Sequence, residues 1–103
     1  MNVARQRLPN RRLHEVVEIE HGGVHYLAGL GRFADGRLAE VFLNSAKVGT
    51  AADTAARDSA VVASIALQHG VEVDTIRRAL TRDADGSASG PLGVVLDLIA
   101  RAR

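Results

Sequence analysis

The spacing of apolar residues changes near residue 50, and this change restricts the chain to one class of fold. Between residues 13 and 43, three runs alternate apolar and polar positions, as half-buried strands do. From about residue 50 onward, apolar positions recur at helical spacing. Strands followed by helices favour an α+β fold with two layers, in which the helices pack on one face of a sheet.

Three strands are predicted, over residues 13–20, 24–33 and 38–43. His21-Gly22-Gly23 forms the turn between the first two strands, and Asp35-Gly36 is a hairpin signal between the second and third. Such short turns join antiparallel neighbours. The sequence therefore predicts a three-stranded antiparallel meander.

Three helices are predicted after the strands. Residues 50–69 are rich in alanine and lack glycine and proline, and Gly70 is a natural stop. Asp74 can cap a second helix over residues 75–81, and Pro91 suits the first turn of a third. The apolar positions expected to face the core are Val62, Ile65 and Ala66 in the first helix and Leu92, Val95, Leu96 and Ile99 in the third.

Both faces of the predicted sheet carry apolar side chains. In the second strand Val24, Tyr26 and Leu30 oppose Leu27 and Phe33, and in the third strand Val41 and Leu43 oppose Leu38 and Phe42. Helices can cover one face only, and a second copy of the chain is the simplest cover for the other. We therefore expect a homodimer formed through the sheet.

Basic residues are concentrated at the start of the chain. The first twelve residues contain Arg5, Arg7, Arg11 and Arg12 and no acid, whereas the remainder contains nine Lys or Arg and twelve Asp or Glu. We predict a basic flexible arm over 1–12 and a single domain over 13–103. The arm is either solvated or binds phosphate, nucleic acid or an acidic partner.

The segment before the long helix is a second candidate for binding. Lys47, Gly49 and Thr50 could hold an anion at the helix N-terminus, where N–H groups are free. Alternatively, Thr50 or Asp53 caps the helix and Gly49 makes the turn. Asp58 shares a helical stripe with Val62, Ile65 and His69 and is interpreted as a structural or interface anchor, with Arg57 and Ser59 as neighbours that could satisfy it or a partner.

The sequence lacks the residues that several classes of catalytic and metal site require. The chain has no cysteine, which excludes disulfides, thiolate metal sites and thiol nucleophiles. The four histidines lack metal-ligand spacing, and no serine has the context of a hydrolase nucleophile. We therefore predict no catalytic residue, metal or cofactor. No apolar run of membrane-spanning length occurs, so a cytoplasmic location is expected.

A basic edge is predicted on the second helix. It consists of Arg77, Arg78 and Arg82. It is either a solvated helix face or part of a nucleic-acid surface. The chain offers no aromatic set on which bases could stack, which weakens a role in binding single strands.

A set of short segments, in this order, resembles a known family. The segments are Arg7-Leu8-Pro9-Asn10-Arg11, Asp35-Gly36, Glu40-Val41-Phe42-Leu43, Lys47-x-Gly49-Thr50, Asp58-Ser59 and Ser64-Ile65-Ala66-Leu67-Gln68-x-Gly70-Val71. They resemble the TSCPD domain, found near the C-terminus of cobalamin-dependent (class II) ribonucleotide reductases, and especially its short stand-alone members. The resemblance covers residues 7–80, and residues 91–99 are similar to the tail of those members.

The resemblance implies a role in DNA biosynthesis without catalysis by this chain. In the large reductases, radical chemistry belongs to a separate barrel domain with essential cysteines, which are absent here. The resemblance thus implies an accessory or interaction module, homodimeric or bound to a reductase subunit, even if homology would label it a ribonucleoside-diphosphate reductase. The alternative is a small protein that binds nucleic acid or a nucleotide through the arginine arm and the Lys47–Thr50 loop.

Overall fold

The computed structural model describes residues 4–8 and 14–102, and its elements follow the predicted order. The strands are β1 (His14–His21), β2 (Val24–Arg32) and β3 (Leu38–Ser45), and the helices are α1 (Ala51–Gln68), α2 (Val73–Ala79) and α3 (Pro91–Arg101). The sheet has the order β1-β2-β3, with both pairs antiparallel. The predicted α+β fold is confirmed. No helix in the described residues is long and apolar enough to cross a membrane.

The turn between β1 and β2 sets the register of the first pair of strands. Gly22 and Gly23 have φ angles of 59° and 76°, the positive values that a two-residue type I′ turn needs. His21 therefore lies opposite Val24, and Ile19 lies opposite Tyr26. Because side chains alternate between faces, this register places Ile19 and Tyr26 together on the core side of the sheet.

The core lies between one face of the sheet and two of the helices. The sheet contributes Ile19, Tyr26, Ala28, Leu30, Val41 and Leu43, helix α1 contributes Ala56, Ala60, Ala63 and Leu67, and α3 contributes Leu92, Val95, Leu96 and Ile99. Three of the four apolar residues buried on α1 are alanines. Small side chains allow this helix to approach the sheet closely.

Helix α1 lies along the edge of β3 and replaces a fourth strand. The Ser64 hydroxyl accepts a hydrogen bond from the Val41 N–H at 2.9 Å and donates one to the Val41 carbonyl at 3.1 Å. The Gln68 amide donates to the Ala39 carbonyl at 3.1 Å. All four residues are buried. Backbone groups at a strand edge need partners when they are buried, and here helix side chains supply them.

Near the start of α1, the side chain of Asp53 accepts a hydrogen bond from the backbone of the same strand edge. Its Oδ1 accepts a hydrogen bond from the Ser45 N–H at 2.8 Å, and its Oδ2 accepts one from Arg57 Nε at 2.8 Å. The Ser45 N–H, and then the Arg57 guanidinium, hold the pKa of Asp53 below its ordinary value. The carboxylate is 2% exposed, so it is a buried, charged anchor between helix and sheet.

The apolar stripe predicted for α1 is wrong. Val62 and Ile65 are 67% and 40% exposed, and Asp58 and His69 are also exposed. The buried side of the helix instead combines alanines with Asp53, Ser64 and Gln68. The physical reason is that a strand edge requires hydrogen-bonding partners and close approach, whereas the prediction assumed that the largest apolar residues face the core.

The second helix also differs in its start. Helix α2 begins at Val73, with Glu72 at the N-cap position, and Asp74 lies inside the first turn. Asp74 is therefore not the cap. An acid in the first turn still favours this helix, because it complements the positive end of the helix dipole.

Ser64→Ala should destabilise the fold by about 1–3 kcal/mol, because it leaves both backbone groups of Val41 buried without a partner. Urea unfolding measures the change. Ser59→Ala is the matched control, because the Ser59 hydroxyl donates only to Ala56 within its own helix, and it should cost less than about 0.5 kcal/mol. Equal losses in the two variants would contradict this account of the β3 edge.

Asp53→Asn should reduce stability and weaken its dependence on acid pH. The folded-state pKa of Asp53 lies below the ordinary 3.8, so the stabilisation is present above that value and is lost as the pH falls through and below it. Unfolding free energies measured from pH 6 down to pH 2 test this. Asp58→Asn, at an exposed position, should keep the wild-type profile, and an identical profile for both variants would refute the assignment.

Candidate functional site

Thr50, in the loop before α1, caps that helix. The Thr50 hydroxyl accepts a hydrogen bond from the Asp53 N–H at 3.1 Å and donates one to the Lys47 carbonyl at 3.1 Å. Gly49 makes the turn with a φ of 86°. The structure thus shows the cap that the sequence offered, formed by Thr50, and binding of an anion at this loop stays a prediction.

The remaining candidates near this loop have different roles. Arg57 pairs with the buried Asp53, although its own side chain is 47% exposed. Asp58 is exposed and makes no hydrogen bond or ion pair within 4–8 and 14–102. Arg57 thus supports the helix-to-sheet anchor, and Asp58 is not the buried anchor that its position on the stripe suggested.

The described part of the basic arm contacts the C-terminal end of α1. Arg5 Nε donates to the Gln68 side-chain oxygen at 2.5 Å, and the Gln6 N–H donates to the Gln68 carbonyl at 2.6 Å. Arg7 is exposed. Two of the four predicted arginines, Arg11 and Arg12, lie outside the described residues. The boundary between arm and domain at residues 12 and 13 stays a prediction.

Arg5 and the Lys47–Thr50 loop lie at opposite ends of α1. Arg5 meets the helix at Gln68, whereas the Lys47–Thr50 loop precedes its first turn. An 18-residue helix is about 27 Å long. A ligand that contacted both Arg5 and the loop would therefore have to span about this length. Binding of nucleic acid through these residues stays a prediction.

The basic edge of α2 is largely neutralised by Asp97 on α3. Arg82 binds this carboxylate through two hydrogen bonds, at 2.7 and 2.8 Å, and Arg77 approaches it at 3.4 Å. The hydrogen bonds from Arg82, together with those from Arg77, lower the pKa of Asp97 to about 2. These arginines therefore hold the end of α2 and the following loop against α3, and Arg78 remains exposed.

A groove of about 590 Å³ lies between the β2–β3 turn and the segment that joins α1 to α2. Two arginines of its rim are engaged within the molecule. Arg32 binds Glu15 at 2.9 Å, and Arg37 binds Asp35 at 2.7 Å. The backbone N–H of Arg37, followed by its side chain, lowers the pKa of Asp35. The two guanidinium groups are thus already paired with carboxylates of the same chain.

A second groove, about 340 Å³ in volume, lies between α1 and the start of α3. Tyr26 lines it from the sheet, Ala52 and Ala55 from α1, and Pro91 and Leu92 from α3. We call it the α1–α3 groove. Sequence reasoning missed it because its walls come from four separate segments, which include Leu80 and Thr81, and contain no charged residue. No three His, Cys, Asp or Glu side chains in the described chain are placed to share a metal ion.

The face of the sheet that points away from the helices has an apolar centre. The outer sheet face consists of His14, Val16, Glu18 and Glu20 of β1, His25, Leu27, Gly29 and Gly31 of β2, and Glu40, Phe42 and Asn44 of β3. Val16 and Phe42 flank Gly29 in one row, and they are 62% and 46% exposed. The His14 ring lies 6.3 Å from the ring of Phe42.

The outer sheet face contains fewer of the predicted apolar residues than expected. Leu27 and Phe42 are exposed on it, as predicted, but Phe33 and Leu38 are buried at 7% and 6% exposure. The register shifts between Gly31 and Arg32, so the alternation of faces does not continue through this end of the hairpin. The exposed apolar area is therefore confined to the middle of the face.

Comparison with known proteins agrees with the resemblance seen in the sequence. The TSCPD domain family model matches residues 6–102. A vitamin B12-dependent ribonucleotide reductase of Agrobacterium fabrum is 34% identical over 77 residues, and one of Bradyrhizobium diazoefficiens is 32% identical over 77 residues. No solved structure gave a significant match.

The matches differ greatly in how much of each protein they cover. Each alignment with a reductase covers 75% of this chain but only 6% of the reductase. The chain therefore corresponds to a small part of the curated relatives that it matches, which is consistent with a stand-alone relative of one domain. Because the family model extends over nearly all of the sequence, this chain belongs to the TSCPD domain family.

Proposed function

We propose that this chain is a non-catalytic accessory module that acts with a ribonucleotide reductase. The observation that carries the proposal is the match of residues 6–102 to a domain that forms a small part of vitamin B12-dependent ribonucleotide reductases. A domain of this kind can serve a reductase by binding to it. The reaction itself then belongs to the partner.

The chemistry of the chain supports a role without catalysis. Its 103 residues include no cysteine, the residue type that the family resemblance assigns to reductase radical chemistry. Two of the polar side chains that sequence reasoning singled out are used within the fold, since Thr50 caps α1 and Arg57 pairs with Asp53. The chain would therefore act by binding a partner through its surface.

The β1 edge of the sheet is open to a partner, whereas the β3 edge is covered. Helix α1 covers the β3 edge, whereas β1 forms the opposite edge, and only Ile19 of its eight residues is buried. In an antiparallel ladder alternate residues point their backbone groups away from the paired strand. Since His21 and Val24 close the two-residue turn, Val16 and Glu18 point their N–H and C=O groups toward this free edge.

The free edge is self-complementary, which supports a homodimer. Antiparallel pairing of two β1 strands, with Val16 opposite Val16 of the partner subunit, places His14 opposite Glu18 of the partner subunit on each side. The His14 ring could donate a hydrogen bond to that carboxylate, whereas like charges directly opposite each other are destabilising. Pairing centred on Glu18 would place two carboxylates together, so the charges favour the register centred on Val16. The resulting dimer would have one continuous six-stranded sheet.

Val16→Lys should convert the dimer to a monomer, because the register centred on Val16 would then place two ammonium groups opposite each other. Sedimentation at micromolar concentration measures the mass. Val62→Lys is the matched control, since Val62 is a similarly exposed valine on the far side of α1, and it should remain dimeric. A monomeric wild-type chain at these concentrations would refute the dimer.

The accessory role predicts a complex with a vitamin B12-dependent ribonucleotide reductase that lacks its own TSCPD domain. Immobilised wild-type chain should retain such a reductase from a purified mixture, and addition of the chain should change reductase turnover. A reductase that carries the domain as part of its own chain is the control and should be retained less. Recovery of neither a reductase nor a second copy of this chain would count decisively against the proposal.

A further inference from the structure

The N-terminus of α3 is uncapped, in contrast to that of α1. Gly90 occupies its N-cap position without a side chain, Pro91 has no N–H, and the first turn contains no acid. The first intrahelical bond runs from the Val94 N–H to the Gly90 carbonyl at 3.2 Å. The N–H groups of Leu92 and Gly93 have no acceptor among the described residues, although both residues are buried. Buried N–H groups at a helix start normally have a partner.

A second polar group without a partner faces the same place. Tyr26 is 5% exposed and lines the α1–α3 groove. Its hydroxyl makes no hydrogen bond within the described part of the chain, and no side-chain polar atom there is both fully buried and unsatisfied. The hydroxyl is therefore not fully enclosed, and because Tyr26 lines the groove, a molecule bound there can accept a hydrogen bond from it. A buried tyrosine usually has such a partner.

The walls of the groove suit a small molecule with a negative head and an apolar body. No charged residue lines it, so no carboxylate repels an anion. The positive end of the α3 dipole lies at one end, and alanines of α1 form a smooth apolar wall. A volume of about 340 Å³ is within the range of natural ligand sites.

We propose that the α1–α3 groove binds a small organic oxyanion, a carboxylate or a phosphate ester. Its oxygens accept hydrogen bonds from the N–H groups of Leu92 and Gly93 and from the Tyr26 hydroxyl, and its body lies along Ala52 and Ala55. Charge-assisted hydrogen bonds to backbone N–H groups at a helix start are the common means of binding such anions. The proposal goes beyond the accessory role and does not depend on a reductase partner.

Gly90→Asp is the decisive variant, because it blocks the site without harming the fold. Gly90 has extended backbone angles of −137° and 168°, and a Cβ there would meet nothing within 4 Å. The new carboxylate would cap Leu92 and Gly93 and complement the dipole, so the melting temperature should stay equal or rise. Binding should be lost. Gly90→Ala, which adds a methyl group but no acceptor, is the matched control and should bind like the wild type.

The probes are inorganic phosphate, a nucleoside monophosphate and isobutyrate, titrated separately into labelled protein and followed by amide chemical shifts. We expect saturable shifts of the Leu92 and Gly93 amides, and the tighter probe identifies phosphate or carboxylate as the head group. Tyr26→Phe keeps the ring and should weaken binding about tenfold or more. Thr50→Ala, at the α1 N-terminus, should leave the affinity unchanged.

Two outcomes would overturn the assignment. In the first, none of the three probes shifts the Leu92 and Gly93 amides at tens of millimolar. In the second, the shifts persist with equal affinity in Gly90→Asp, which would place the anion elsewhere, for example on the arginines of residues 4–8. Neither result bears on binding to a reductase, so the two proposals can fail separately.

Discussion

The fold depends on the hydrogen bonds that side chains of α1 make to the backbone groups at the edge of β3. A three-stranded sheet has two edges, and here one edge is buried under a helix instead of pairing with another strand. Ser64, Gln68 and Asp53 supply the hydrogen bonds that a fourth strand would have supplied. This contact positions α1, which in turn forms one wall of the core and one wall of the α1–α3 groove. It also leaves β1 as the only open edge of the described sheet.

The same contact explains why large apolar residues of α1 face solvent. A helix that approaches a strand edge closely must present small or hydrogen-bonding side chains, so alanines and polar residues occupy the buried side. Val61, Val62 and Ile65 are left exposed as a consequence. An apolar side chain on this helix is therefore weak evidence of burial, and the buried carboxylate Asp53 is a structural group whose charge is compensated by Arg57 and a backbone N–H.

Anion binding at a helix start requires N–H groups that remain free, and the two long helices differ in this respect. At α1 the sequence left open either an anion held by Lys47, Gly49 and Thr50 or a cap formed by Thr50 or Asp53. In the structure the Thr50 hydroxyl accepts a hydrogen bond from the Asp53 N–H at that end. Helix α3 begins with Gly90 and Pro91, which supply no side-chain acceptor, and Tyr26 joins it from a strand far away in sequence. The residues that line this groove thus include a tyrosine whose hydroxyl has no hydrogen-bond partner among the described residues. They also include two residues at the start of a helix whose N–H groups have none.

The order of the elements, the glycine turns and the family resemblance were all readable from the sequence, because periodicity and turn chemistry are local. The capping role of Thr50 was open as one of two alternatives for the same reason. Tertiary structure alone decided which side of α1 is buried, where the register of β2 and β3 shifts, and that Asp97 neutralises Arg82. It also brought Tyr26 to the start of α3. Each of these depends on contacts between residues distant in sequence, which no local pattern records.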